Sequence, residues 1–350
     1  MTGLRAALLG LGLAAIGGCA ATPPAPRPSP RVVLEAHARE IHALAFSPDG
    51  TLFASAGGGN NPAADEITLW TTATGERRMT FADYKGVASS LVFSPDGKLL
   101  AAGAVDGRIT LLEVDSGAER GSFAGTAGVV SCLAFTFDGK VLVSVVHLDG
   151  DHETLEVCRW DVDRSAQRAS FRPDASSPFA LSPDGMTLAW IVQGKPSSVW
   201  TTNLETQEKR LISNVGIVRG DTLVFSPDGR RIAAVHHAGW SPIPNHCPYV
   251  YLLDAHSGRI LLRSPGPFDA RRGLAISHDG GLLARGVDGG FQLRDLRTLE
   301  VCGNLSGPPS KMDGAELLVF SPDDRTLIAS DGRGVLLLWD VPKLMEARQP

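Results

Sequence analysis

The chain has 350 residues, a formal net charge of −5 and a hydrophobic content of 43%. Because this acidic balance is mild and offers no basic surface, it disfavours binding to nucleic acid or to anionic lipid, and we expect no nucleic-acid partner. The 39 glycines and 23 prolines are typical of a chain with many tight turns between short strands.

The first 19 residues resemble an export signal. Arg5 supplies a positive charge, and the apolar run 6–16 is too short for a permanent membrane helix but normal for a signal-peptide core. Residues 16–19, Ile-Gly-Gly-Cys, resemble a bacterial lipobox, the motif whose cysteine receives lipid. We therefore expect residues 1–19 to be a lipoprotein signal peptide with lipidation at Cys19. Ordinary signal cleavage, with Cys19 removed or left unmodified, is the alternative.

A proline-rich segment follows at residues 20–30, with five prolines in eleven residues. Segments of this composition extend as semi-rigid spacers. We expect this linker to hold the folded domain off the membrane, so that the lipid anchor is the domain's only membrane contact.

Seven times the chain passes from an apolar stretch into a Ser-Pro-Asp-Gly turn or a variant of it, at steps of 42 to 51 residues. Proline presets the first turn dihedral, aspartate bonds back to the backbone, and glycine accepts a positive φ. A period in the forties with several strands per unit predicts a β-propeller. The turns are at 46–50, 93–97, 135–139, 181–185, 225–229, 276–280 and 320–324.

Each repeat is predicted to contain four short strands, a to d. In the first repeat these are 41–46, apolar on both faces, then 52–56, 66–70 and 77–81. The outer strand d alternates polar and apolar residues, as expected where one face meets water.

The seventh repeat supplies strands a to c, at 317–320, 326–330 and 335–339, but no strand d. Residues 31–35, before the first repeat, form a strand without a blade. Pairing this strand with the last blade would remove two open sheet edges. The predicted fold is therefore an all-β, seven-bladed β-propeller of four-stranded antiparallel blades over residues 31–342, closed by the N-terminal strand and followed by a tail at 343–350.

Trp-Asp endings at 160–161 and 339–340, together with the repeated turns, resemble the WD-repeat (β-transducin-like) family. The turn also occurs in TolB-like propellers. The WD resemblance implies a hydrogen-bonded structural tetrad, and the first repeat holds its residue types as His37, Ser55, Asp65 and Trp70. In other repeats the histidine position holds Tyr84, Thr126, Gly216 or Lys311. Ser144 and Ser330, on later strands b, are interpreted as tetrad or packing residues.

The resemblance also implies that the b–c and d–a loops share one face, which unequal insertions mark as the working surface. The b–c loop of blade five is rich in ring side chains, and we expect His236, His237, Trp240 and His246 to contact a partner. These histidines and Cys247 are also a possible Zn²⁺ set, but adjacent histidines on a strand point to opposite faces and a structural site needs four ligands.

The b–c loop of blade three, 147–153, is acidic but lacks the spacing of an EF-hand, so a solvated turn is favoured over a Ca²⁺ site. No cofactor or metal is therefore expected. Cys132, Cys158, Cys247 and Cys302 form no Cys-x-x-Cys pair. Cys132 and Cys158 are separated by an intervening strand, so we expect buried free thiols there.

No catalytic motif stands out, and the leading hypothesis is a non-enzymatic protein–protein interaction scaffold. It would be exported, lipid-anchored to the bacterial cell envelope facing the periplasm or the cell surface, monomeric, and would bind a protein or peptide. One alternative is a metal-assisted hydrolase or lactonase-like enzyme that uses the central channel. The other is a TolB-like accessory protein of the cell envelope.

Overall fold

The computed structural model describes residues 29–58, 66–81, 84–148, 154–173, 178–192, 197–215, 220–236, 249–265, 273–287, 290–306 and 315–346. These residues contain 28 β-strands and one short α-helix. The strands form seven four-stranded antiparallel sheets, so the predicted seven-bladed all-β propeller is confirmed. No helix in this part of the chain is long and apolar enough to cross a membrane.

The first four blades follow one another along the chain, each with strands a to d in order. Blade one comprises β2 (Ile41–Phe46), β3 (Leu52–Gly57), β4 (Glu66–Thr71) and β5 (Arg77–Thr80). Blade two comprises β6 (Ala88–Phe93), β7 (Leu99–Ala104), β8 (Arg108–Glu113) and β9 (Glu119–Ala124). Blade three comprises β10 (Gly128–Phe135), β11 (Val141–Leu148), β12 (Leu155–Asp161) and β13 (Ala166–Phe171). Blade four comprises β14 (Phe179–Leu181), β15 (Thr187–Val192), β16 (Ser197–Asn203) and β17 (Lys209–Val215).

The last three blades complete the ring, and the seventh draws on both ends of the chain. Blade five comprises β18 (Gly220–Phe225), β19 (Arg231–His236), β20 (Tyr249–Asp254) and β21 (Ile260–Pro265). Blade six comprises β22 (Leu274–Ile276), β23 (Leu282–Val287), β24 (Gly290–Asp295) and β25 (Val301–Ser306). Blade seven comprises β26 (Ala315–Phe320), β27 (Thr326–Asp331), β28 (Val335–Asp340) and β1 (Val32–Glu35).

The ring closes through β1, as the sequence predicts. β1 lies antiparallel beside β28, with Val32 opposite Leu338 and Glu35 opposite Val335. The Arg31 amide extends the ladder by donating to the Leu338 carbonyl at 2.7 Å. The last blade therefore has four strands and leaves no open edge at the junction of the chain ends.

The core is divided among the gaps between blades. Seven clusters of buried hydrophobic side chains each join two neighbouring blades. Strand b is buried along its length, as in β7, because it contacts both neighbours, whereas the outer strand β13 is almost wholly exposed. The apolar residues of strands b and c thus pack the ring blade against blade.

The repeated turn is stabilised by its own side chains. In blade one the Ser47 hydroxyl donates to Asp49 Oδ1 at 2.6 Å, and that oxygen also accepts from the Thr51 amide at 3.0 Å. These two bonds hold the pKa of Asp49 below its usual value. Gly50 has φ +71°, a conformation that glycine adopts without steric cost. The turn motif therefore reflects a local hydrogen-bonded unit.

Two departures from the turn motif compensate each other across the gap between blades six and seven. His278 replaces the usual proline in blade six and therefore has a backbone N–H group. Asp324 replaces the usual glycine in blade seven, at φ +56°. Its carboxylate accepts from the His278 amide at 2.6 Å and from the Asp279 amide at 2.7 Å, and it lies 3.4 Å from His278 Nδ1. The acid at 324 thus binds the amide that the histidine introduces.

We expect His278 and Asp324 to be energetically coupled. In a double-mutant cycle with His278→Pro and Asp324→Gly, measured by urea unfolding, the coupling should be about 1 kcal/mol, because each single change leaves the other residue without its partner. Introducing Pro48→His and Gly97→Asp between blades one and two is the matched control and should create similar coupling. Additivity of the two native changes would contradict this explanation.

Residues 341–346 differ from the tail expected beyond the ring. Val341–Glu346 forms a helix, α1, whose Leu344 and Met345 pack against the cluster between blades six and seven. Pro342 lies in its first turn, where a missing N–H costs nothing, and Asp340 Oδ1 accepts from the Lys343 amide at 3.3 Å. The Pro342 position therefore begins a helix, although in the sequence it resembles the end of the fold.

Candidate functional site at the loop end of the ring

The two ends of the ring differ in regularity. In all seven blades an amide just after strand c donates to a carbonyl just before strand b, as Thr72 does to Thr51 at 2.9 Å. The a–b and c–d turns therefore share one end, here named the turn end, and the b–c and d–a connections share the opposite end, named the loop end. At the loop end β7 and β8 are separated by three residues, but β19 and β20 by twelve. Variation is concentrated at the loop end.

Three of the four predicted tetrad residues meet in blade one, near the loop end. His37 Nε2 lies 2.7 Å from Ser55 Oγ, and Trp70 Nε1 donates to the same oxygen at 2.8 Å. Asp65 lies outside the described residues. The bonds fasten the segment after β1 to strands b and c of blade one, so the tetrad serves the closure of the ring.

Burial controls the protonation of His37. The residue is 8% exposed, and burial, with a smaller contribution from Arg77 and His42, lowers its pKa to about 4. The imidazole is therefore neutral near pH 7. This favours a structural hydrogen-bonding role.

Other blades keep only parts of the tetrad. In blade three, Trp160 Nε1 donates to Ser144 Oγ at 2.9 Å. In blade seven, Ser330 Oγ accepts instead from the Leu317 amide at 3.2 Å. Ser144 and Ser330 are both fully buried, so both act within the fold.

Blade six places arginines at the tetrad's serine and tryptophan positions. Arg285 and Arg294, 5% and 7% exposed, both donate through Nε to Gln292 Oε1, at 3.1 and 2.8 Å. Burial and the neighbouring Arg294 charge lower the pKa of Arg285 to about 10. Gln292 Nε2 in turn donates to Asn304 Oδ1 at 3.0 Å. A cationic network thus replaces the tetrad here; the signal in the sequence was arginine at two aligned positions.

Polar residues occupy bulges in the innermost strands, a feature that the sequence reading of strand a as wholly apolar missed. The pairing of strands a and b slips by one residue at His42, Ser89, Ser131 and Asp221. Such bulges redirect a side chain and often lie beside functional sites. The slips fall in the part of strand a nearest the loop end, where they bring polar groups to the innermost strands of four blades.

Ser131 and His147 form a close pair at this end of blade three. Ser131 Oγ lies 2.5 Å from His147 Nδ1, and the imidazole packs against the Phe179 ring with centroids 5.4 Å apart. A serine–histidine hydrogen bond is one requirement for nucleophilic catalysis, the others being a group that orients the base and donors for an oxyanion.

Most of the expected contact residues of blade five lie outside the described part of the chain. His236 is the last residue of β19. His237, Trp240, His246 and Cys247 are outside it, as is the lipidation residue Cys19. Their proposed roles remain predictions.

Thiols and metal ligands give little chemistry in the described regions. Cys132, Cys158 and Cys302 form no disulfides. Burial raises the pKa of the Cys158 thiol to about 11, which makes it unreactive at neutral pH. Among the residues with described positions, no group of three or more histidine, cysteine, aspartate or glutamate side chains is arranged to hold a metal ion.

Two family models match segments of the chain. Residues 28–61 match the WD domain, G-beta repeat, and residues 69–138 match the anaphase-promoting complex subunit 4 WD40 domain. An uncharacterized WD repeat-containing protein of Synechocystis sp. is 38% identical over 72 residues, 21% of this chain and 20% of that protein. The match thus spans about a fifth of that relative's length.

The whole ring resembles a known propeller. A chain of Kuenenia stuttgartiensis hydrazine synthase superposes with a TM-score of 0.66 over 89% of this chain and 97% of that chain, at 18% identity. At this identity the likeness concerns the fold alone. The sequence matches in the first three blades and the His37–Ser55–Trp70 bonds support a relationship to WD-repeat propellers.

Proposed function

We propose that the protein is a non-enzymatic interaction scaffold, anchored to the bacterial cell envelope by lipid at Cys19, that binds a protein or peptide at its loop end. The observation that carries the proposal is the contrast between the two ends of the ring. The same hydrogen bonds recur seven times at the turn end, whereas connections at the loop end range from three residues to twelve. Loops that vary on a constant frame are the usual location of binding residues.

A rigid ring suits this role physically. Seven blades joined by buried clusters hold the loop ends in place, so less conformational entropy is lost when a partner binds. Trp240 is the aromatic anchor of the proposed contact, with His236, His237 and His246 around it, because buried aromatic residues dominate many interfaces. WD-repeat propellers, which the chain resembles, commonly mediate protein interactions.

The proposed anchor fits the course of the chain. β1 runs from the turn end toward the loop end, and Arg31 Nη2 donates to the Thr72 carbonyl in a turn of blade one at 2.9 Å. Residues 1–30 therefore leave the ring at its turn end. A lipid at Cys19 would direct the loop end away from the membrane and toward a partner.

Replacing residues 238–247 with an Asp-Gly turn tests the contact surface. We expect partner recovery in a crosslinked pull-down from native envelopes to fall at least about tenfold, because the proposed anchor is removed. The melting temperature should change little, since blade two closes the same connection with three residues.

A turn-end substitution, Phe137→Ser, is the matched control and should leave partner recovery unchanged. A collapse in melting temperature on loop replacement would identify the loop as structural. Unchanged partner recovery would place the contact elsewhere.

Hydrolysis is the second candidate, favoured by the Ser131–His147 pair at 2.5 Å. Labelling of purified protein by a fluorophosphonate probe, lost in Ser131→Ala, would favour it. The scaffold proposal expects no such labelling.

A further inference from the structure

Phe137 is an exposed aromatic residue that the fold does not use. It is 91% exposed at the tip of the a–b turn of blade three. Five other repeats have proline at this position and one has histidine. The turn is complete without it, since Thr136 Oγ1 donates to Asp138 Oδ1 at 2.7 Å and the Gly139 amide donates to the Thr136 carbonyl at 2.8 Å. A large apolar side chain kept in water has no structural reason here.

The residue points from the end of the ring at which the N-terminal segment departs. Blade three joins its two turns through the Val162 amide and the Lys140 carbonyl at 3.0 Å, as blade one does through Thr72 and Thr51. Arg31 contacts Thr72 at this same end. Phe137 and the start of the linker therefore lie on one face.

Linker length limits how far this face can lie from an anchored lipid. Residues 20–30, even as an extended polyproline helix, span about 34 Å at about 3.1 Å per residue. A lipid on Cys19 would therefore keep the turn end close to the bilayer surface, with Phe137 facing it.

Charge disfavours an ionic contact of this face with lipid. Each a–b turn carries an aspartate, and hydrogen bonds from the turn lower the pKa of Asp96 and Asp138 beside Phe137. These carboxylates are ionised at neutral pH and repel anionic headgroups. A membrane contact at this face must be apolar.

We propose that Phe137 inserts into the interfacial layer of the bilayer when the protein is anchored at Cys19, and thereby holds the turn end against the membrane. This inference rests on the lipid anchor of the proposed function. Burying one phenylalanine favours the membrane by about tenfold to a hundredfold, which is weak for a free protein. Tethering raises the effective concentration of membrane around Phe137 enough to make the contact persistent.

The test uses the full acylated protein in phosphatidylcholine vesicles, with the photoreactive analogue benzoyl-phenylalanine at position 137. The control position is Val105, a 39% exposed apolar residue at the loop end. We expect at least about fivefold more lipid adduct from position 137. Adding anionic lipid should lower the yield, and higher salt should restore it. In Cys19→Ala the adduct should disappear.

The acylation state of Cys19 is measured by mass spectrometry on the same preparation, so the two proposals can fail separately. Equal lipid adducts from positions 137 and 105 in acylated protein would overturn the insertion and leave the anchor intact. Absence of acylation would overturn both. In native envelopes, a protein adduct at position 137 in place of lipid would instead identify a protein contact and overturn the insertion.

Discussion

Deleting residues 1–36 should lower the free energy of unfolding by about 4 kcal/mol or more and promote aggregation. The deletion removes β1, whose Val32 and Leu34 pack against the cluster between blades seven and one. Each lost half-buried side chain costs about 1 kcal/mol and each lost ladder bond about the same. It also exposes the edge of β28, and an open ring loses cooperation between its first and last blades.

Deleting residues 1–28 is the matched control and should leave the melting temperature nearly unchanged, because β1 and Arg31 remain. The measurement is thermal unfolding of both truncated proteins beside the full chain. Equal melting temperatures for the two truncations would contradict closure by β1.

Acid should destabilise the protein between pH 6.5 and 4 through His37. Its pKa falls from 6.5 to about 4 on folding, so within this range the unfolded chain binds a proton that the folded chain does not. The stabilisation is complete above pH 6.5 and is lost as the pH falls to 4, in total about 3 kcal/mol. Urea unfolding at a series of pH values measures it.

His37→Gln is the control, since it removes the titrating group and should flatten the dependence over this range. The turn aspartates titrate separately. Their lowered pKa values, as at Asp49, give a stabilisation that is present above their unfolded pKa of 3.8 and is lost only at lower pH. An equally steep loss in His37→Gln between pH 6.5 and 4 would contradict the assignment.

The architecture was predictable because its signals are local and repeated. The Ser47–Asp49 hydrogen bond needs only neighbouring residues, so the same letters specify the same turn wherever they recur. The missing fourth strand of the last repeat and the spare strand at 31–35 then left one closed arrangement. The His37, Ser55 and Trp70 contact followed from the resemblance of the first repeat to WD repeats.

Features that depend on contacts between distant residues escaped the sequence reading. A bulge such as that at Ser131 depends on how strand a pairs with strand b, which hydrophobic pattern does not specify. The Gln292 bridge between Arg285 and Arg294 needs three aligned strand positions to be compared. The Asp324 bonds to blade six join residues 45 and 46 positions apart. Each arises from three-dimensional neighbours.

The candidate site was predictable only as a region. Unequal loop lengths mark the loop end from sequence alone, but contacts of Trp240 or His246 depend on loop conformation, for which the repeat provides no template. The Ser131–His147 pair joins adjacent strands and carried no motif.

The mass of the mature N-terminus tests the orientation of the scaffold most directly, because anchoring at the turn end leaves the loop end free for a partner. Protein purified from bacterial envelopes should begin at Cys19 and carry added lipid mass on that residue. In Cys19→Ala, the signal should remain uncleaved or the protein should be released without lipid, while its melting temperature is retained. An unmodified N-terminus beyond Cys19 in the native protein would contradict the account.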